Sequence, residues 1–110
     1  MSAIQPLAPK ELAERLARGD DLVLLDVREP AELAVASIAR PGVVAIPLGH
    51  LGRRHGELDP ARPIVCICHH GMRSSHAAAL LARAGFGSLF NLSGGIDRWS
   101  REVDSSVPRY

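Results

Sequence analysis

The chain has little surplus charge of either sign. Its 13 Lys and Arg stand against 12 Asp and Glu, a net charge of +1. That is too small for the electrostatic footprint of a nucleic-acid binder or an anionic-membrane binder. Lysine is almost missing: Lys10 is the only one, which reflects a compositional habit rather than a function. Cysteine is scarce as well. Cys66 and Cys68 are the only two; so close together they frame no disulfide scaffold, which fits a reducing cytosol and an expected cytoplasmic location. No apolar run approaches the roughly 20 residues that a membrane span needs. The opening Met-Ser-Ala-Ile-Gln-Pro shows no charged n-region and no apolar h-region, so no secretion signal is expected. Aromatics are few, and Phe86, Phe90 and Trp99 are assigned to the core rather than to a substrate platform. No repeat, linker or low-complexity segment divides the chain. Its 110 residues leave room for one domain, 1–110, with one core.

What is present alternates. Leu22–Leu25, Val43–Ile46, Ile64–Ile67 and Leu89–Leu92 are short apolar runs, each expected to be a buried strand. Between them lie helical patterns. One follows Pro9 and carries Leu12, Ala13, Leu16 and Ala17, with Gly19 as its stop. A short one opens at Glu29-Pro30 and runs to about Val35. Another holds Leu48 and Leu51 and is expected to be interrupted by Gly52 and Gly56. A fourth spans Ser74–Ala84, and a last one carries Ile96, Trp99 and Val103. Residues 1–8 and the tail 104–110 show no periodicity. Strands alternating with helices imply βαβ crossovers, hence an α/β fold with a central, mostly parallel sheet and helices on both faces.

The other elements serve the stretch Ile64-Val-Cys-Ile-Cys-His-His-Gly-Met-Arg-Ser74. A strand leads into a tight turn, Cys68–Arg73, and then into a helix that Ser74 and Ser75 are expected to cap. A cysteine leaving a strand's carboxyl end toward a helix N-terminus meets inward-pointing N–H groups and the positive end of a dipole. Arg73 adds a full charge. Such surroundings favour a reactive thiolate at neutral pH. The blander alternative, an inert buried thiol, fits the flanking Gly71 and Arg73 less well. Asp26 and Arg28 close the Leu22–Leu25 run, at the strand end where open α/β sheets build their sites. They are expected to hold neighbouring loops by hydrogen bonds and an ion pair. Cys66, two residues before Cys68, is read as a core hydrophobe in preference to a resolving thiol. A metal site from Cys66, Cys68, His69 and His70 is disfavoured, because contiguous ligands rarely converge on a tetrahedron.

These blocks together resemble a single-domain rhodanese, a sulfurtransferase. Leu25-Asp-Val-Arg-Glu-Pro30 resembles the family's first signature, and Cys68-His-His-Gly-Met-Arg-Ser74 its active-site loop. Gly85-Phe86, then Asn91-Leu-Ser-Gly-Gly-Ile96 and Trp99, resemble its C-terminal signature. The ending Val107-Pro-Arg-Tyr110 is similar to that of small bacterial members with a Cys-His-His-Gly loop. One block departs: Ser37 stands where the family usually has a histidine.

The resemblance implies a three-layer rhodanese-like fold and catalysis by Cys68. The thiolate would take a sulfane sulfur from thiosulfate or a similar donor and pass it to cyanide or a thiol. The substrate-binding set it implies is His69, His70, Gly71, Met72, Arg73 and Ser74, with Arg73 holding the donor's charged oxygens. No cofactor and no metal are expected. The partners implied are small donors and acceptors, with a sulfur-relay protein as a further one, and neither nucleic acid nor membrane. A non-turnover sulfur carrier or sensing module is an alternative that uses the same cysteine. A phosphatase or arsenate-reductase activity is a lesser one, because four residues rather than five separate Cys68 from Arg73 and make a smaller cradle.

Overall fold

The computed structural model describes residues 4–38 and 40–110. The four apolar runs form β2 (Val23–Asp26), β3 (Val43–Ala45), β4 (Ile64–Ile67) and β5 (Leu89–Leu92). A further strand, β1 (Ile4–Leu7), arises where the sequence carries no periodic signal. It is short, half exposed, contains Pro6 and pairs with β5 alone, at the edge of the sheet. An edge strand tolerates the missing N–H of proline, and its weak apolar content leaves little pattern to read. Residues 1–3, the rest of that lead-in, lie outside the described residues.

The strands form one sheet in the order β1-β5-β4-β2-β3, and every pairing is parallel. Residues of β2 and β4 are buried along their whole length, as expected for central strands covered on both faces. The helices are α1 (Pro9–Ala17), α2 (Pro30–Val35), α3 (Leu48–Arg54), α4 (Met72–Arg83) and α5 (Gly95–Glu102). Leu51, Ala77, Ala78 and Leu81 of α3 and α4 pack one face of the sheet. Leu12, Ile96 and Trp99 of α1 and α5 pack the other. The result is the three-layer α/β arrangement that the alternating pattern predicts.

Two boundaries differ from expectation. α3 continues through Gly52 and gives way only at a 3-10 turn, His55–Glu57. Leu51 is completely buried, and that burial outweighs the roughly 1 kcal/mol helix penalty of a glycine. α4 begins at Met72, not at Ser74: Gly71, in a left-handed conformation with φ +113°, is the residue before its first turn. Ser74 and Ser75 are therefore inside the helix and not caps, and the Ser74 hydroxyl is left for the site.

Candidate active site

The carboxyl ends of β2, β4 and β5 converge on one point, and Cys68 leaves β4 there. Its Sγ accepts the Gly71 N–H at 3.0 Å. The turn can close this tightly because Gly71 takes up a positive φ, which costs little without a Cβ. The wholly buried Ser74 places its Oγ 3.2 Å from Sγ. Ser74 Oγ also lies 2.5 Å from Asn91 Oδ1, to which it donates. Either atom of the Sγ–Oγ contact can be the donor, and a Ser74 proton given to Asn91 leaves Oγ facing Sγ as an acceptor. Asn91 in turn donates from Nδ2 to the Gly71 carbonyl at 3.1 Å, tying the loop to β5.

The loop's main chain is fixed from below. The Ile96 N–H donates to the Cys68 carbonyl at 2.9 Å, and the Asp97 N–H to the His69 carbonyl at 3.1 Å. The first-turn donors of α5 are therefore satisfied by the loop itself. Gly95 makes this approach possible. Its φ is +62°, and a Cβ there would fall 2.3 Å from the His69 carbonyl oxygen and 2.5 Å from that of Cys68. The Ser93-Gly-Gly95 turn in the sequence is, in three dimensions, the seat of the Cys68–Arg73 loop.

A ring of side chains surrounds this backbone. Arg28 is completely buried and pairs with Asp26 through two bonds, Nε to Oδ1 at 2.9 Å and NH2 to Oδ2 at 2.7 Å. Its remaining donors reach the Ala36 carbonyl at 2.8 Å and the Tyr110 hydroxyl at 2.9 Å. Tyr110 passes its own proton to Glu32 Oε2 at 2.8 Å; burial raises the phenol above its ordinary value and so keeps that proton in place. Glu32 grips Arg73 at two points, 2.6 and 2.8 Å. That pairing, chiefly, brings the Glu32 carboxyl down to about 2. The Tyr110 ring stacks on His69 at 3.9 Å, and His69 stacks on His70 at 3.9 Å. Arg109, next to Tyr110, pairs with Asp97 at 2.9 Å. The aperiodic tail is thus a strap laid across the loop.

Cys68, His69, His70, Met72, Arg73 and His76 line a cleft of about 410 Å³. Met72 is 77% exposed at its rim. His70 is largely exposed, whereas His69 is wedged in the stack, where burial lowers its proton affinity below the ordinary imidazole value. Of the residues singled out in the sequence, Cys68, Gly71 and Ser74 touch at the sulfur; His69, His70, Met72 and Arg73 form the walls; Asp26 and Arg28 lie behind. Cys66 is buried in the apolar cluster, where burial pushes its thiol up to about 12. Among the described residues, His69, His70 and Asp97 bring possible metal-ligating atoms within 4.8 Å of one another, a group that includes neither cysteine. Asp97 is already engaged by Arg109 and Arg101, whose charges oppose a cation.

Sequence reasoning missed Glu32, Asn91 and Tyr110. The Glu29–Glu32 spacing is a readable helix-start signal, and the structure has that capping box; its second use, on Arg73, spans 41 residues and leaves no local trace. Asn91 was visible as a lone polar residue in an apolar run. Tyr110 carries no periodic signal, and only the resemblance of the ending Val107-Pro-Arg-Tyr110 marked it.

A parallel five-stranded sheet with a cysteine loop seated between β4 and α4 defines a class, and comparison places the chain within it. The chain belongs to the family described as the rhodanese-like domain, whose model matches residues 8–102. It is 36% identical over 98 residues to a sulfurtransferase of Allochromatium vinosum, covering 89% of this chain and 90% of that one. It is 31% identical to the thiosulfate sulfurtransferase GlpE of Ectopseudomonas mendocina, covering 97% and 94%. The solved structure of a rhodanese-related protein from Thermoplasma volcanium superimposes with a TM-score of 0.79 at 31% identity, covering 90% and 93% of the two chains.

Proposed function

We propose that the chain is a sulfurtransferase that takes a sulfane sulfur onto Cys68 as a persulfide and yields it to a thiol or to cyanide. The observation that carries this reading is the Gly71 N–H directed at Sγ, at the base of a cleft walled by Arg73. An amide donor and a guanidinium favour sulfur as an anion, which is the nucleophilic form. With thiosulfate, the Cys68 thiolate attacks the outer sulfur. The new S–S bond forms on Sγ, the old one breaks, and its electron pair leaves on sulfite. The terminal sulfur of the persulfide anion then lies in the cleft, within reach of the Arg73 charge. A thiophilic acceptor attacks that sulfur and restores the thiolate. No metal or cofactor is required for either half.

Turnover of thiosulfate with cyanide tests the proposal. The wild type cycles many times, and Cys68→Ser, with the same fold by circular dichroism, falls to the uncatalysed rate. Full activity in that variant would end the proposal. A protein acceptor, as in a sulfur relay, would use the same persulfide. A carrier would differ in being slow with small donors and fast with its partner.

A further inference from the structure

Among the described residues Arg73 is the arginine or lysine that lines the cleft, and its charge is already engaged. Both of its terminal nitrogens are held by Glu32. The Glu32 carboxylate is itself fixed by two further donors, the Glu29 N–H at 3.1 Å and the Tyr110 hydroxyl at 2.8 Å. Tyr110 is anchored by the buried Arg28, so Glu32 is braced from behind and cannot swing aside freely. Beside the cleft Asp97 is held by Arg109 and Arg101, burial lowers the proton affinity of His69 below that of an ordinary imidazole, and His70 and His76 complete the imidazoles of the lining. The Arg73 charge on the cleft wall is therefore offset by the Glu32 carboxylate bonded to it.

From this geometry we infer that Glu32 is a specificity-determining residue that selects the sulfur donor by charge, handicapping dianions such as thiosulfate in favour of hydropersulfides of uncharged thiols. The inference rests on the sulfur-transfer reading and narrows its substrate class. A dianion must enter beside the Cys68 sulfur while sharing Arg73 with a carboxylate that is already bonded to it. A hydropersulfide of an uncharged thiol brings at most the single charge of R–S–S⁻, and none in the reactive form R–S–SH. The Cys68 thiolate attacks its outer sulfur, the S–S bond breaks, and the electron pair departs on the thiolate R–S⁻, leaving Cys68–S–SH. Charge is conserved, and no oxidant is needed. Glu32 touches neither reactant in this scheme; it acts through Arg73 and through the field it adds to the cleft.

The test is Glu32→Gln, which keeps the shape and the hydrogen-bonding oxygen but removes the charge. Two donors are compared, thiosulfate and the hydropersulfide of 2-mercaptoethanol. In the wild type the hydropersulfide is the better donor. In the variant kcat/KM for thiosulfate rises on the order of tenfold, as expected for deleting one nearby like charge, and the ratio of the two donors shifts by a similar factor. A ratio unchanged by the substitution, or a thiosulfate rate that falls while the hydropersulfide rate holds, would overturn the inference. An independent readout uses no sulfur transfer: the ratio of Cys68 alkylation by iodoacetate to that by iodoacetamide. Glu32→Gln raises that ratio if the carboxylate screens anions, and leaves it constant if it does not. A raised ratio in a protein that transfers sulfur from neither donor would sink the sulfurtransferase reading and leave the charge gate standing. A constant ratio with active transfer would do the reverse. Glu32→Asp, which keeps the charge, serves as the folding control and retains the wild-type preference.

Discussion

Two arginine–carboxylate pairs lie side by side in this molecule, and they do different things. Asp26–Arg28 is sealed, with side-chain exposures of 3% and 0%. Glu32–Arg73 is open, at 21% and 36%, and its arginine lines the cleft. Three of the four residues fall in the short stretch from the end of β2 into α2, the fourth, Arg73, lies on α4, and Tyr110 bridges the pairs, accepting from Arg28 and donating to Glu32. Burial separates their roles. A sealed pair cannot lose one member without stranding the other charge, so it acts as a brace. An open pair keeps its partners in touch with water, gives up little stability when altered, and remains able to meet a ligand.

The sharpest way to break this contrast is Arg28→Ala. It leaves Asp26 buried and unpaired and releases Tyr110 and the Ala36 carbonyl; it should cost about 3–5 kcal/mol in urea unfolding. A loss below about 1 kcal/mol, the range of a surface pair, would mean that the buried pair is no brace. Next comes Gly95→Ala, which tests whether the main chain or the ring of side chains sets the loop. A methyl group set against two carbonyl oxygens, at a positive φ, should cost about 2 kcal/mol or more. It should also slow Cys68 alkylation in molecules that remain folded; alkylation at the wild-type rate would assign the geometry to the side chains.

The open pair should show a smaller signature, in acid. The Glu32 carboxyl is lowered in the folded protein from 4.5 to about 2. The unfolded chain therefore binds the proton more tightly, and the contribution of Glu32 is complete above about pH 4.5 and lost as pH falls through about 2. Solvent access to both side chains trims this to about 1 kcal/mol. Subtracting the stability curve of Glu32→Gln from that of the wild type isolates it; a difference flat across that window would contradict the pairing. The smallest effect belongs to Cys66→Ala. Deleting this buried sulfur costs about 1 kcal/mol and should leave transfer per folded molecule intact. A collapse of activity without unfolding would make Cys66 a resolving thiol after all.

Much of this was legible in the sequence, for a physical reason. The strands β2, β4 and β5 are buried on both faces and write themselves as apolar runs. The loop residues Cys68, Gly71 and Arg73 are contiguous, so their chemistry is local. The illegible parts depend on tertiary contact. β1 pairs with β5 alone and packs only Ile4 and Leu7 against the core, too few to write a periodic pattern. Ser74 looked like a helix cap because serine beside a helix start usually is one; here Gly71 takes that place and the hydroxyl turns to Sγ and Asn91. Glu32 and Tyr110 reach the site across 41 and 78 residues respectively, Glu32 to Arg73 and Tyr110 to Glu32. No window along the chain contains such a pairing.

The central claim is that Cys68 carries transferable sulfur. Intact mass spectrometry after incubation with the 2-mercaptoethanol hydropersulfide, and in parallel with thiosulfate, tests it most directly. The account predicts a gain of one sulfur atom, located at Cys68, removed by cyanide and missing in Cys68→Ser. A mass unchanged with both donors, or a sulfur adduct that persists in Cys68→Ser, would contradict it.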